Sequence, residues 1–484
     1  MHYLTLINDI IWTYLGIGLL VFCALYFTIR LRGMQFTMIG EMIRQLFKGE
    51  ESGTSQQGDV AGPKKRITPF QAFAVALSSR VGTGNLAGVA SAIAIGGPGA
   101  VFWMWIMALL GSATAFVEST LAQLYKRRGE DAFYGGPAYY MQHGLHKRWM
   151  GVLFAILITV TFGMANQLVQ SNTLCDILSD SLHVDIRWVG ALLTVMTLVV
   201  IFGGIQRISH FAALCVPFMA IGYLLISLVV IGMNYRLLPD VLNLIVSSAF
   251  GFEQAAGGMV GVAILQGVKR GLFSNEAGEG SAPNAAAIAT TTHPVKQGLL
   301  QALGVFTDTL VICTCTALII LLSGIYDNGS DGIILTTQAL ESEIGVAGRW
   351  FITAAIFLFA YSTIIANYFY GETNIRFMFH SSAPSSSKGQ ESASQLRSSI
   401  LAFRLITGVT ILAGAYMTLQ TAFTLVDIVM GLMTITNLIA ILLLFPKVRI
   451  LLDDYLRQRR KGNNPKFRKE IFDAETQKDI ISWD

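Results

Sequence analysis

Apolar residues in this chain gather into blocks of about twenty, and that length matches the hydrocarbon thickness of a bilayer. Each block is therefore read as a membrane-spanning helix. Length alone, 484 residues, suggests about three soluble domains at roughly 150 residues each. The repeated blocks point instead to one polytopic membrane domain. Composition agrees: 53% of residues are hydrophobic and 13% charged, whereas a soluble domain carries roughly 25% charged residues. A soluble fold of this size is excluded, and the fold class is all-α.

The first block, about Ile10 to Thr28, has no Lys or Arg before it, so it lacks the basic end of a secretory leader and reads as a retained helix with its N-terminus outside. Ten more follow, at about 69–94, 99–124, 149–171, 188–205, 211–233, 240–270, 298–323, 349–371, 398–416 and 421–446. Eleven spans place the C-terminus in the cytoplasm. Alternation then puts 30 of the 34 basic residues on one side, leaving Arg187, Arg236 and Arg349 on the other and Arg80 inside a span. This is positive-inside sorting in a cytoplasmic membrane, so the net charge of +4 carries no implication of nucleic acid. Residues 1–446 form the transmembrane domain and 447–484 a cytoplasmic tail. The tail reads as solvated and topology-fixing, although Arg457, Arg459, Arg460 and Lys461 also suit anionic lipid headgroups. Segments 51–66 and His380 to Gln395 read as flexible cytoplasmic loops.

Two spans do not look like lipid-facing helices. The second holds Ser78-Ser79-Arg80-Val81-Gly82-Thr83-Gly84-Asn85-Leu86-Ala87-Gly88, with glycines, hydroxyls, an amide and a charge at mid-depth. Close helix packing accounts for the glycines but for neither the charge nor the amide, so a break is expected here. The seventh, from Asp240 to Gly271, is long enough for two half-helices, and Phe250 to Gly261 supplies the interruption, with Glu253, Gly257 and Gly258 in it. A later break, at Ser274 to Gly280, would bury Lys269 and Arg270 at several kcal/mol each by the usual cost of intramembrane charge, so those two are assigned to the inner surface. The broken spans open two sets of five helices, about 69–233 and 240–446, and an odd number per set inverts the repeat. Half-helix N-termini attract a carboxylate, and freed carbonyls hold an ammonium or Na⁺. A small amino acid fits a glycine-lined break.

The stretch Leu77 to Ala90, followed by Arg270-Gly271-Leu272-Phe273-Ser274-Asn275-Glu276-Ala277-Gly278 and Gly280-Ser281-Ala282-Pro283, resembles the alanine or glycine:cation symporter family, the sodium:alanine symporters. Gly135-Gly136-Pro137, Gln170-Ser171-Asn172, Asp308-Thr309 and Ser362 to Glu372 extend the resemblance over nearly the whole chain. It implies a LeuT-type fold of five plus five inverted helices preceded by one extra span, and sodium-driven uptake of alanine or glycine by alternating access. By the same resemblance Thr83 and Gly84 take the substrate carboxylate, and Asn85 is a sodium ligand or a substrate contact. Gly257, Gly258, Gln170 and Asn367 are further candidate substrate contacts, Gln170 and Asn367 having interhelix packing as the alternative. A sodium site is implied between the carbonyls of Ser78 and Val81 and the hydroxyls of Ser362 and Thr363, whose alternative is bonding back to their own helix.

Charges stand out against this background. Asp308, about ten residues into its span, is read three ways: a sodium ligand, a partner for Arg80, or a proton relay. Glu118 is assigned to a snorkelling pair with Lys126 to Arg128, and Glu253 and Glu276 are candidates for gating. The five cysteines are too scattered for a disulfide framework, and the seven histidines form no metal motif. Enzyme chemistry has no converging residue set, and no cofactor beyond Na⁺ as coupling ion is implied. The runner-up is a proton-coupled or exchange carrier of another small solute. Oligomeric state is left open.

Overall fold

The computed structural model describes residues 8, 10–48, 66–129, 132–251, 257–379 and 387–483, nearly all of them helical. Among the described residues, eight helices are long and apolar enough to cross a membrane. Helix α1 (Ile10–Arg30) is followed by a short amphipathic α2 (Ile39–Lys48). Helix α3 (Pro69–Arg80) starts on a reciprocal cap, in which Thr68 accepts from the Gln71 amide and Gln71 accepts from the Thr68 amide, with Pro69 in the first turn. It stops at Arg80, Val81 leaves the helical region, and the chain re-enters a helix through a wide turn as α4 (Gly84–Gly96). The first break therefore falls where glycine, hydroxyl and amide interrupt the apolar pattern.

The first half continues with α5 (Gly99–Leu124), α6 (Pro137–Gly144), α7 (Arg148–Leu182), α8 (Ile186–Ile201) and α9 (Gly204–Met233). The second half opens with α10 (Leu238–Phe250), α11 (Gly257–Asn275) and α12 (Ala282–Ala287). It continues with α13 (Pro294–Leu322), α14 (Gly332–Ile344), α15 (Val346–Phe379), α16 (Ser387–Gly414), α17 (Leu419–Arg460) and α18 (Ala474–Asp479). Helices α5, α11 and α13 pack together, and the contact needs small residues. A Cβ on Gly298 of α13 would fall 2.1 Å from the Thr120 hydroxyl of α5.

Several features differ from the sequence reading. The region expected to hold one interruption holds two. Helix α10 ends at Phe250, with Gly251 left-handed at φ 68°, and a second turn runs from Asn275 to Ser281 with positive φ at Glu276, Gly278 and Gly280. The second turn, not the first, faces the break in α3–α4. Lys269 and Arg270 lie buried inside α11 rather than at a surface. The burial is tolerated because Arg270 Nη2 meets Asp427 Oδ2 of α17 at 3.0 Å. A buried ion left without its partner costs far more than a buried pair.

Glu118, expected to snorkel, is fully buried in α5. Helix α14 was not anticipated; Asp331 caps it, and its Thr336 hydroxyl donates to Leu86 O of α4 at 3.0 Å. Of the loops expected to be flexible, 51–65 and 380–386 lie outside the described residues, and the chain is helical again from Ser387. The tail is only partly solvated: Arg457, Arg460 and Lys461 are exposed, but farther on the chain packs back onto the body, where the Phe467 amide donates to Thr292 O at 2.8 Å, the Trp483 indole donates to Gln123 O at 2.9 Å, and Ile480 is fully buried. Phe467, Phe472, Ile480 and Trp483 give it an apolar face to bury.

Candidate functional site

The break in α3–α4 leaves backbone groups without helical partners, and the surrounding helices supply them. Asn85 folds back so that its side-chain oxygen accepts the Gly82 amide at 2.9 Å, and Gln170 of α7 accepts the Thr83 amide at 3.1 Å. A Cβ on Gly82 would fall 2.5 Å from Thr363 Oγ1 and 3.0 Å from Gln170 Oε1, so only glycine fits between α7 and α15. The Thr83 hydroxyl is buried with no protein partner. The Ser79 hydroxyl, whose proton goes to Glu276, lies 2.7 Å from the buried side-chain amide of Asn367 on α15. These atoms form the lining that a small polar molecule would satisfy.

Beside the break lies a carboxylate. Asp308 is fully buried in a wide turn of α13, Phe306–Cys313. Its Oδ1 accepts from Asn85 Nδ2 at 2.7 Å, and its Oδ2 accepts from the Ser274 hydroxyl at 2.6 Å and the Thr309 hydroxyl at 2.9 Å. Cys313 Sγ sits 3.1 Å from Ser274 Oγ and 3.3 Å from Asn85 Nδ2. In a regular helix residues five apart point about 140° apart; the wide turn brings Asp308 and Cys313 to one side. Such turns recur at functional sites. The first break, the end of α11 and α13 thus meet on one oxygen-rich cluster.

On another side of the break, Thr363 Oγ1 lies 2.8 Å from Ser78 O and 3.4 Å from Val81 O. Ser362 turns back, donating to Phe359 O of its own helix at 3.0 Å. Arg80 is buried and does not pair with Asp308; its Nη1 donates to Gln301 O at 3.1 Å. Glu276 ties the two interruptions together, accepting from Ser79 on α3 and Ser281 on the second turn, both at 2.5 Å. The opposite side is closed by Phe273, whose ring lies 3.1 Å from where a Cβ on Gly84 would stand. Phe423 packs on Phe273 with centroids 5.4 Å apart, and the Arg270 guanidinium stacks 4.4 Å above Phe423.

The model of the sodium:alanine symporter family matches residues 1–469. The chain belongs to that family. It is similar to the probable sodium/glutamine symporter GlnT of Bacillus subtilis (strain 168), 48% identical with 97% of this chain and 94% of that one covered. The amino-acid carrier protein AlsT of the same organism is 46% identical, covering 95% and 93%. The sodium/alanine symporter AgcS of Methanococcus maripaludis is 36% identical, covering 90% and 93%. Among solved structures, MhsT in complex with L-phenylalanine superposes with a TM-score of 0.52 at 12% identity, covering 79% of this chain and 99% of that one. That likeness shows the fold alone, which is of the LeuT type. As a family of sodium:alanine symporters these are multi-pass membrane transporters coupled to sodium, not enzymes.

Of the residues singled out in sequence, Ser78, Arg80, Val81, Thr83, Gly84, Asn85, Gln170, Glu276, Asp308, Ser362, Thr363 and Asn367 all lie at or next to the break in α3–α4. Two do not. Gly257 and Gly258 open α11, about 25 Å from its other end at 1.5 Å per residue, and Glu253 lies outside the described residues. Sequence reasoning missed Phe273, Ser274, Cys313 and the Arg270–Asp427 pair. The signal for Ser274 was present: Ser274-Asn275-Glu276 is polar, and two glycines follow at Gly278 and Gly280.

Proposed function

We propose that the chain carries alanine or glycine into the cell together with sodium, through eleven crossings arranged as one extra helix and two inverted sets of five. In this reading the repeats are about 69–233 and 240–446, the N-terminus is outside, and the tail after 446 is cytoplasmic. The observation that carries it is the meeting of the broken α3–α4 helix with the buried Asp308 cluster. The substrate carboxylate sits at the N-terminus of α4, where Thr83 offers an unpartnered hydroxyl and the helix end favours negative charge. Asp308 and the Ser274 hydroxyl hold one sodium, with the Asn85 amide turning its oxygen inward. Ser78 O, Val81 O and Thr363 Oγ1 hold a second, with Ser362 beside them. Asp308 then acts as a ligand rather than as a partner for Arg80, with which it makes no ion pair.

Phe273 over Gly84 leaves little room for a side chain, which favours alanine and glycine. A second reading, glutamine, is favoured by the 48% identity to a relative named for that substrate. Competition decides between them. Unlabelled glycine should suppress sodium-dependent alanine uptake at concentrations where glutamine does not; suppression by glutamine alone would make glutamine the cargo.

A further inference from the structure

Glu118 touches neither the break nor the Asp308 cluster, yet it is a fully buried carboxylate six residues from the C-terminal end of α5. Its three partners are all donors. It accepts from the Gly280 amide at 3.1 Å, from the Gly278 amide at 3.4 Å and from Asn437 Nδ2 at 2.9 Å. Asn437, on α17, also donates to Gly278 O at 2.9 Å and accepts from the Tyr140 hydroxyl of α6. The gripped residues are the two left-handed glycines of the second turn, at φ 93° and 82°. A Cβ on Gly280 would lie 2.7 to 2.9 Å from Pro137, Phe154 and Asn437, so the turn is pressed into a socket made by α6, α7 and α17.

A carboxyl side chain buried this completely is expensive unless its oxygens are used. Here it satisfies amides that the turn leaves without helical partners, and an apolar side chain of the same size would orphan three donors. The turn begins one residue after Ser274, which donates to Asp308. A shift of the turn therefore reaches the Asp308 cluster through Ser274 and the end of α3 through Glu276, which accepts from Ser79, whereas Thr83 and Gln170 are held within the first break itself.

We propose that Glu118 is a positioning residue for sodium coupling: by holding Gly278 and Gly280 it keeps Ser274 on the Asp308 cluster. This rests on the sodium role given above to Asp308 and Ser274. The whole protein is tested in proteoliposomes for alanine uptake against sodium concentration, and in detergent for the sodium-dependent rise in Tm that a bound ion produces. Glu118→Gln should raise the sodium half-saturation in both assays by about tenfold, equal to about 1.4 kcal/mol, while the KM for alanine at saturating sodium stays within about twofold. Adding Asn437→Asp, which lets the new amide donate to a carboxylate, should recover part of the loss. If Glu118→Gln does not fold, Asn437→Ala, which removes one donor, should show the same split at smaller size. Equal changes in the sodium and alanine constants, or a lowered Tm with unchanged sodium dependence, overturn the proposal. If wild-type Tm ignores sodium and Asp308→Asn leaves the sodium dependence of uptake unchanged, the sodium role of Asp308 fails instead.

Discussion

At Asp308 three side chains, Asn85, Ser274 and Thr309 from α4, α11 and α13, converge on two carboxylate oxygens and the Cys313 thiol, and that convergence separates the roles a lone intramembrane acid can have. Asp308→Asn removes the charge and keeps the volume. The sodium half-saturation of uptake should rise by at least about tenfold, the scale of one hydrogen bond to a charged group, with a smaller change in the alanine constant. Thr83→Val deletes the one buried hydroxyl left unpartnered in the break, and should weaken alanine by about tenfold on the same scale while leaving Tm near wild type. Thr83, Asn85 and Gln170 were legible because polar side chains in an apolar block have few other uses. Ser274 and Cys313 were not, since their role depends on where α11 ends.

The breaks show why that ending was misplaced. Charge cost was assigned to Lys269 and Arg270 as if unpaired, but Asp427, 157 residues later in sequence, meets Arg270 at 3.0 Å. Local reasoning cannot see a partner that only the packing of α11 on α17 supplies. The first break was legible because its cause is local: glycines, a hydroxyl and an amide in succession. Gly82→Ala tests that element directly. Its Cβ would stand 2.5 Å from Thr363 Oγ1, and overpacking of this kind costs about 1–3 kcal/mol. Uptake should fall to background while helical content by circular dichroism is kept; uptake near wild type would mean the break need not be closed this tightly.

Across the whole molecule the fold class and most span positions could be read from apolar length and basic residues, because bilayer thickness imposes both. The tail could not, because its anchors lie on distant loops. One of them, His293, is fully buried, accepts the Val295 amide on Nδ1 at 3.2 Å and lies 3.5 Å from Asp454. Burial pushes its imidazole below the ordinary 6.5, and the imidazole beside Asp454 holds that carboxyl below the usual carboxylate range. The unfolded chain therefore takes up a proton at His293 before the folded one does. Stability from this site is complete above about pH 6.5 and declines as pH falls toward the lower folded value. Tm should drop on acidification from pH 7 to pH 5 more in the wild type than in His293→Gln, and equal drops would remove His293 from the account.

Sodium coupling is the central claim, and radiolabelled alanine uptake into proteoliposomes tests it with the fewest assumptions. An inward sodium gradient should concentrate alanine above its outside level, and replacing sodium by choline, with or without an inward proton gradient, should abolish that accumulation. Accumulation driven by protons in sodium-free medium would contradict the account and return Asp308 to the role of proton carrier.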